Sequence, residues 1–355
     1  MQNYSCPTCG AQLYWDATKQ SLYCKYCSSS FSPDDFADAT IETEGEQKQT
    51  ATQDKRSDNV VVSENEEVVV YECGTCGGEV IAQKTTMATV CPYCGEAVSI
   101  TNKSVGEFRP ELLIPFCHEK KEAIELFKQY VNKSFLTPAP FKQDNIIEKI
   151  QGLFVPFYLH TVVDTADNTL KGEKVSHHRR GDDRVATHKV YNLSVRATGK
   201  FDKLPTDAAK GIENELMDAL EPFTYNELTD YHPAYMAGFL AEQKDEELEA
   251  LKERAKSRCR EGMDENARKQ FSGYTSVTHI NKDHNFSLHE AQYVMLPVWI
   301  LNVAHQGKKY RFAINGQTGK IVGKLPINWG KFAAICAGVF VAAEVLSAFI
   351  LPIVM

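Results

Sequence analysis

Residues 6–27 read CPTCGAQLYWDATKQSLYCKYC, and residues 73–94 read CGTCGGEVIAQKTTMATVCPYC. Each stretch contains two C-x2-C pairs separated by 14 residues, and the second copy follows the first by 67 positions. A C-x2-C pair presents two thiolates from one tight turn, and a 14-residue spacer suits a hairpin that brings the second pair over the first. The spacing therefore predicts two small β modules, each organised by four cysteines.

The four sulfurs of each module form a ligand set for a tetrahedral metal ion. A module of about 30 residues is too small for its own core, so a bound metal would supply much of its folding energy. Four cysteines leave no open coordination position, which favours structural zinc over catalytic zinc. Disulfides and an iron–sulfur centre are the alternatives. The predicted ligands of the two structural Zn2+ ions are Cys6, Cys9, Cys24 and Cys27, then Cys73, Cys76, Cys91 and Cys94.

The last 24 residues read FAAICAGVFVAAEVLSAFILPIVM, from Phe332 to Met355, with Glu344 as the single charge. Twelve residues are Ile, Leu, Val or Phe. At roughly −0.3 to −0.6 kcal/mol each they outweigh the roughly +3 kcal/mol of one central carboxylate. The preceding residues 291–331 carry six bases and no acid. These features predict a single-pass helix in the cell membrane, with the N-terminal bulk in the cytoplasm. Small residues beside Glu344 suggest homo-oligomerisation through that helix; a lone anchor is the alternative.

The formal net charge of −8 is concentrated in one segment. Residues 33–70 hold 11 acids and 3 bases, which leaves 36 of each in the remaining chain. A neutral body does not favour nucleic-acid binding, and the acidic segment is too polar to fold by burial. The expected segments are zinc ribbon 1 at 1–31, a disordered linker at 32–70, zinc ribbon 2 at 71–101, an α+β domain at 105–330, and a transmembrane helix at 332–355.

Periodicity predicts several elements of the α+β domain. We expect an amphipathic helix at 119–133, strands at 153–163 and 190–198, and a β-hairpin at 310–322. Residues 233–260, or 233–271 at the longest, are predicted to form one long, mostly charged helix that either projects into solvent or binds a partner.

Other candidate sites are weak. The stretch Gly316 to Lys320 lacks the first glycine and the final Ser/Thr of a phosphate-binding loop and reads as a hairpin turn, which argues against a helicase. A basic run is more typical of a solvated loop than of a phosphate or lipid contact. Three histidines spaced by five fit neither a helix face nor a strand face, and three isolated cysteines are expected to be packing residues. The basic run comprises His177, His178, Arg179, Arg180, Arg184, His188 and Lys189. The spaced histidines are His279, His284 and His289, and the isolated cysteines are Cys117, Cys259 and Cys336.

The cysteine modules resemble rubredoxin-like zinc ribbons of the TFIIB type. The segments HPAYMAGFLAEQ (232–243), LPVWILN (296–302) and KYRFAINGQTGKIVGKLP (309–326) resemble a family of bacterial zinc-ribbon membrane proteins, which are often labelled primosomal or phage replication proteins. The resemblance covers most of residues 1–331. It implies partners of the SPFH-domain or PspA type, which act in envelope stress.

The fold class expected is therefore multidomain: two zinc ribbons, an α+β domain with a long charged helix, and a C-terminal transmembrane helix. The function expected is a non-enzymatic, membrane-anchored adaptor that recruits proteins through its ribbons. One alternative is a nucleic-acid-binding replication accessory protein. The other is an enzyme, which would require a deep pocket with convergent polar groups in the α+β domain.

Overall fold

The structure is a computed structural model that describes residues 4–39, 68–72, 79–83, 86–90, 97–99, 109–181, 183–289 and 291–354. In these ranges the β-strands form three sheets: one large sheet of eleven strands and two small sheets of three and two strands. The strands are β1 Leu13–Asp16, β2 Ser21–Cys24, β3 Ser30–Phe31, β4 Val68–Glu72, β5 Glu79–Gln83, β6 Thr86–Val90, β7 Ala97–Ser99, β8 Leu112–Leu113, β9 Gln151–Arg180, β10 Asp183–Asp207, β11 Thr229–Asp230, β12 Leu240–Glu242, β13 Ser276–Leu288, β14 Gln292–His305, β15 Lys308–Asn315 and β16 Ile321–Val322.

Five α-helices accompany the sheet in the described ranges. They are α1 Lys120–Lys133, α2 Asp144–Ile147, α3 Asn214–Leu220, α4 Leu248–Lys269 and α5 Trp329–Val354. Short 3-10 turns occupy Pro33–Ala39, Ala139–Lys142, Tyr225–Glu227 and Pro233–Met236.

The 30-residue strand β9 is the spine of the large sheet. Its first part pairs antiparallel with β14, from Gln151 opposite Ile300 to Leu159 opposite Gln292. Its second part pairs with β13, and nearly its whole length pairs with β10. β13 and β14 are consecutive in the chain and therefore form an almost continuous antiparallel neighbour of β9. All three pairings are antiparallel, but only β9 with β10 is a hairpin; β13 and β14 pair with β9 across more than 100 residues of sequence.

The burial pattern of β9 changes along the strand because its covering changes. Residues 152–160 are all buried, since one face packs in a core with α1 and the other in a core with α3. From Thr161 to Leu170 burial alternates, because α4 covers only one face. Continuous burial followed by alternation is expected for a strand that is covered first on two faces and then on one.

Several predicted elements are confirmed. The helix expected at 119–133 is α1, the two expected strands lie within β9 and β10, and the expected hairpin is β15 with β16. The α+β description of residues 105–330 is wrong, because the described part of this region is mainly an antiparallel sheet with few helices. The polar, alternating second half of β9 and most of β10 gave no buried run from which a strand could be recognised.

The long charged helix predicted at 233–260 is also wrong in extent and setting. Pro233 begins a 3-10 turn, Gly238 has φ +92°, and β12 follows, pairing in parallel with β9 through Leu240 and Leu153. The helix α4 starts only at Leu248 and continues to Lys269. It is not a solvated arm: its apolar residues at four-residue spacing are buried, and they are Leu251, Ala255, Cys259, Met263 and Ala267.

The C-terminal helix α5 does not support the predicted membrane span. In the described part of the chain, no helix combines the length and the apolar character needed to cross a bilayer. The transmembrane helix predicted at 332–355, and the single-pass membrane location, are therefore wrong. The side chain of Glu344 lies outside the described residues, so oligomerisation through its face stays a prediction.

Candidate metal centre

The first cysteine quartet comes together through two similar turns. The turn after Cys6 closes with a hydrogen bond from Gly10 N to Cys6 O of 2.8 Å, and the turn after Cys24 closes with one from Ser28 N to Cys24 O of 2.9 Å. Gly10 and Ser28 both have positive φ, +74° and +61°. The hairpin β1–β2 pairs Leu13 with Cys24, and this pairing carries the second turn over the first. The sequence pattern thus folds as a two-knuckle ribbon.

The four sulfurs form a compact cluster. Cys6 Sγ lies 3.4 Å from Cys27 Sγ, Cys9 Sγ lies 3.5 Å from Cys24 Sγ, and all four ligand atoms lie within 4.8 Å of one another. With Zn–S bonds of about 2.3 Å, a regular tetrahedron has S···S edges of about 3.8 Å. A tetrahedral zinc ion therefore fits among these four sulfurs with small adjustments, and this cluster could hold one metal ion.

Hydrogen bonds give the thiols unequal acidity. The Ser29 hydroxyl, 3.2 Å from Cys27 Sγ, and the Ser29 backbone lower the pKa of Cys27 to about 6. At Cys9, the Ala11 backbone acts to lower the pKa, but desolvation and the neighbouring thiols outweigh it and raise the pKa to about 12. Zinc binds thiolates, so loading the cluster would release protons and would strengthen as pH rises.

The ribbon is packed on the large sheet rather than carried on a free tether. Trp15 is 7% exposed, its ring centroid lies 4.7 Å from that of Tyr235, and its Nε1 donates to Phe116 O at 3.3 Å. Gln20 Nε2 donates to the same carbonyl at 2.9 Å, and Trp15 N donates to Ala237 O at 3.1 Å. The buried residues of the ribbon and those of the sheet consequently belong to one continuous hydrophobic core.

The outer face of the ribbon carries an exposed aromatic side chain between two ligands. Tyr26 is 88% exposed and follows Lys25, whose Nζ lies 3.8 Å from the centre of the Tyr14 ring. Cys9 is also exposed, whereas Cys6 and Cys24 are buried. The metal cluster therefore lies directly beneath a solvent-facing surface.

The second predicted quartet, Cys73, Cys76, Cys91 and Cys94, lies outside the described residues. Within the described ranges, the first quartet is the one cluster of metal-ligating side chains found close enough to bind an ion. Of the flanking strands, β4 pairs with β5, whereas β6 and β7 join the large sheet through β12.

The three spaced histidines do not form a metal site. His284 is buried between two carboxylates, with Nδ1 2.7 Å from Asp164 Oδ2 and Nε2 3.2 Å from Asp264 Oδ1. His279 Nε2 lies 3.3 Å from Asp264 O, and Ile280 forms a bulge between His279 and Asn281. The extra residue shifts which face of the strand the following side chains occupy. Two histidines five positions apart therefore both reach α4. The bulge could not be recognised from sequence spacing.

The remaining predicted residues are scattered. The basic run lies at the exposed end of the β9–β10 hairpin, as a solvated turn would. Cys259 is buried against Val162, and burial raises its thiol pKa to about 11, which fits a packing residue. Burial also raises the pKa of Cys117, while Cys336 lies exposed on α5.

Sequence reasoning missed two groups of polar residues. His160 is 1% exposed, its Nε2 lies 2.8 Å from Thr206 Oγ1, and burial, followed by the charge of Lys252, lowers its pKa to about 4. A cleft of about 660 Å³ lies nearby, lined by cationic and aromatic side chains that include Lys244. These residues come from separate strands and a helix, so no local motif joins them, and Lys244 lies in the charged stretch AEQKDEELEA (241–250), where a lysine gives no distinguishing signal.

Comparison with known proteins gives one extended match. The chain is 31% identical over 350 residues to a protein described as uncharacterized protein YdjG, from Bacillus subtilis (strain 168), and the alignment covers 97% of each chain. The chain belongs to the YdjG family. No family model matches it, and no solved structure matches it. Because the alignment spans nearly the whole length, the YdjG family combines the ribbon segment and the sheet segment in one chain. YdjG is itself uncharacterized, so membership brings no activity with it.

Proposed function

We propose that this protein is a non-enzymatic adaptor that recruits other proteins through the outer face of its zinc ribbon. In this proposal Cys6, Cys9, Cys24 and Cys27 hold one structural Zn2+ ion. A second quartet of the same spacing, Cys73, Cys76, Cys91 and Cys94, holds another. Neither ion takes part in catalysis, since four thiolates complete the coordination of each.

The observation that carries the proposal is Tyr26. This side chain is 88% exposed and lies on the turn between the ligands Cys24 and Cys27. Metal coordination would hold that turn rigid, so a partner could bury the ring at little cost in ordering entropy. Exposed tyrosines on rigid supports are typical anchors of protein interfaces.

The charge of the ribbon supports a protein partner over a nucleic acid. Asp16 pairs with Lys19 at 3.2 Å, and Lys25 lies over the Tyr14 ring. The ribbon therefore has no basic face that could release counterions from a phosphate backbone. On the resemblance noted in the sequence, SPFH-domain and PspA-type proteins are the first partners to test.

The test compares the full-length tagged chain with its Tyr26→Ser variant in affinity purification followed by mass spectrometry. We expect Tyr26→Ser to lose specific partners while keeping stoichiometric zinc, because the tyrosine contributes contact area but no ligand. Ile280→Ser, which changes a side chain that is 60% exposed on β13, is the matched control. If Tyr26→Ser retains the same proteins at the same ratio as the wild type, the ribbon face is not the recruiting surface.

A second candidate function, nucleic-acid binding, is favoured by one observation. The distal hairpin, residues 174–180 of β9 and 183–189 of β10, extends beyond the last β13 partner at Glu173. At about 3.3 Å per residue it projects roughly 23 Å. Residues 174–189 contain five Arg or Lys and two Asp, for a net charge of +3 with His neutral. Arg179 and Arg184 lie opposite each other.

Fluorescence anisotropy with labelled duplex and single-stranded DNA tests this second candidate. Binding that weakens steeply between low and physiological salt, and that is lost when Arg179 and Arg184 are both changed to Ser, would favour nucleic acid. Absence of binding by the full chain at low salt would remove it.

A further inference from the structure

A cleft on the large sheet lies where β9, β14 and the first turns of α4 meet. Its volume is about 660 Å³, within the range of small-molecule sites. The lining combines basic, aromatic and aliphatic side chains from distant parts of the sequence. Its charged members are Arg109, Lys244, Lys252 and Lys256, with Glu111 and Glu249.

Lys244 is the central cation of the cleft. Its Nζ donates to the Tyr158 hydroxyl at 2.6 Å and lies 5.3 Å from the Tyr158 ring centre and 5.1 Å from that of Tyr293. These two rings are buried and stacked with centroids 5.5 Å apart. Among the described residues, no carboxylate lies within ion-pair distance of this half-buried ammonium. Partial burial of an uncompensated charge is costly unless an opposite charge completes it.

The other charges do not neutralise the cleft. Glu249 pairs with Lys252 at 3.1 Å, and Lys256 pairs with Glu253 just outside the lining. The four cations and two carboxylates of the lining sum to +2 with His289 counted neutral, and to +1 when Glu253 beside Lys256 is included. Arg109 lies with its guanidinium 5.9 Å from the Tyr231 ring centre, and no described carboxylate pairs with it. Lys244 and Arg109 are thus two cations available to a bound anion.

The remaining wall is apolar. Leu248, Leu288 and Ala291 line the cleft beside the charged groups, and Leu248 is 36% exposed. A phosphate monoester carries about −1.5 to −2 charges at neutral pH, enough to pair with Lys244 and Arg109 together, whose positive charge Glu111 offsets only in part. An apolar wall next to the cationic pair leaves space for the organic part of such a molecule.

We propose that this cleft binds a phosphate monoester, with the phosphate held by Lys244 and Arg109 and the organic group against Leu248 and Leu288. The monoester belongs either to a soluble metabolite or to a lipid headgroup. The cleft and Tyr26 involve different side chains, so this site goes beyond the adaptor role and does not depend on it.

Isothermal titration calorimetry of the full, zinc-loaded chain tests the proposal with adenosine 5′-monophosphate and glycerol 3-phosphate. We expect saturable binding that Lys244→Met weakens about 10- to 100-fold, the effect of losing one charged hydrogen bond. Lys244→Arg should retain most of the affinity because it keeps the charge. Lys309→Met, which removes an exposed lysine on β15, is the matched control and should bind as the wild type does.

Two further sets of probes test whether the cleft requires a phosphate group and whether that phosphate belongs to a soluble molecule or to a lipid. Adenosine without phosphate should not bind, and succinate, a dianion without phosphorus, should bind much more weakly than either monoester. Vesicles containing phosphatidic acid, compared with phosphatidylcholine alone, form the lipid arm. Sedimentation with phosphatidic acid that requires Lys244, without binding of the soluble esters, assigns the phosphate to a lipid headgroup.

Three results would overturn the proposal: no binding of any phosphate probe at millimolar concentration, equal binding of succinate, or unchanged binding by a folded Lys244→Met variant. Thermal denaturation of each variant establishes that it is folded. None of these results would alter the partner test of Tyr26→Ser.

Discussion

Removing Trp15 should expose how far the metal supports the large sheet. Trp15 is 7% exposed, packs on Tyr235 and donates to Phe116 O. Truncating a buried tryptophan to alanine costs about 3–5 kcal/mol. That total includes about 1 kcal/mol for the hydrogen bond and about 0.5–1.5 kcal/mol for the aromatic pair. We therefore expect Trp15→Ala to lower the free energy of unfolding of the zinc-loaded chain by about 3–5 kcal/mol.

The same substitution should cost far less without metal. The ribbon is too small to fold on its own core, so chelation should unfold it and remove Trp15 from its contacts beforehand. We expect Trp15→Ala to change the unfolding free energy of the chelated chain by less than about 1 kcal/mol, because metal and tryptophan act on one contact and are not additive. Urea titration followed by far-ultraviolet circular dichroism, which does not depend on the tryptophans removed, measures all four states.

Trp329→Ala is the matched control, since Trp329 is 70% exposed at the start of α5 and should change stability by less than about 0.5 kcal/mol with or without metal. A cost of 3–5 kcal/mol for Trp15→Ala in the chelated chain would refute the reasoning. It would mean that the ribbon keeps its docked structure without an ion and that the four cysteines do not organise it.

Three further predictions concern the large sheet and the contact between the sheet and the ribbon. His284→Ala should lower the free energy of unfolding by about 3–5 kcal/mol in urea titrations, because it removes the ion-pair partner of the buried Asp164, whereas Asp264 keeps Lys282 at 2.6 Å. His188→Ala, which breaks an exposed pair with Glu173, should cost less than about 1 kcal/mol. His160 has a pKa of about 4 when folded against 6.5 when exposed, so the unfolded chain binds the extra proton and stability falls as pH drops from 6.5 to 4. Titrations at pH 7 and pH 4 should show this loss to be about 3 kcal/mol smaller in His160→Gln; an equal loss would mean that His160 titrates normally. Gly238→Ala should lower the thermal midpoint of unfolding, because Gly238 has a φ of +92° and the new Cβ would lie 3.1 Å from the Tyr14 ring. Gly211→Ala is the control: its Cβ meets no atom within 4 Å, so the midpoint should not change.

The parts of the fold that were predictable from sequence are those set by local patterns. The spacing of Cys6, Cys9, Cys24 and Cys27 predicted a cluster that the structure brings together, because two tight turns and one hairpin suffice to assemble it. Helical periodicity located α1, and the Asn315–Gly319 turn located the hairpin of β15 and β16. Each of these depends on residues within one short segment.

The failures depend on contacts between distant segments. The second half of β9 alternates polar and small residues, so its strand character comes from pairing with β10 and β13 rather than from a hydrophobic run. Leu240 becomes strand because it pairs with Leu153 of β9, which interrupts a stretch of otherwise helical composition. The apolar content of residues 332–355 was weighed as a sum over the whole segment, whereas no helix in the described part of the chain combines the length and the apolar character of a membrane span.

The ribbon and the phosphate cleft are joined through one short chain of contacts. Tyr4 of the ribbon packs against His232, with ring centroids 6.1 Å apart, and the adjacent Tyr231 donates its backbone N–H to Glu111 O at 3.0 Å. Glu111 lines the cleft, as does Arg109, whose guanidinium lies over the Tyr231 ring. Loss of the metal would release Tyr4 from its contact with His232, and that wall of the cleft would lose its support. We therefore expect chelation to weaken binding of adenosine 5′-monophosphate by more than the loss of Arg109 alone. A disordered wall would also disturb Tyr293, whose backbone N–H donates to Glu111 Oε1 at 3.3 Å and whose ring lies 5.1 Å from Lys244 Nζ. Calorimetry of Arg109→Met with and without zinc measures both effects, and equal affinity of the loaded and chelated wild type would show that the cleft forms independently of the ribbon.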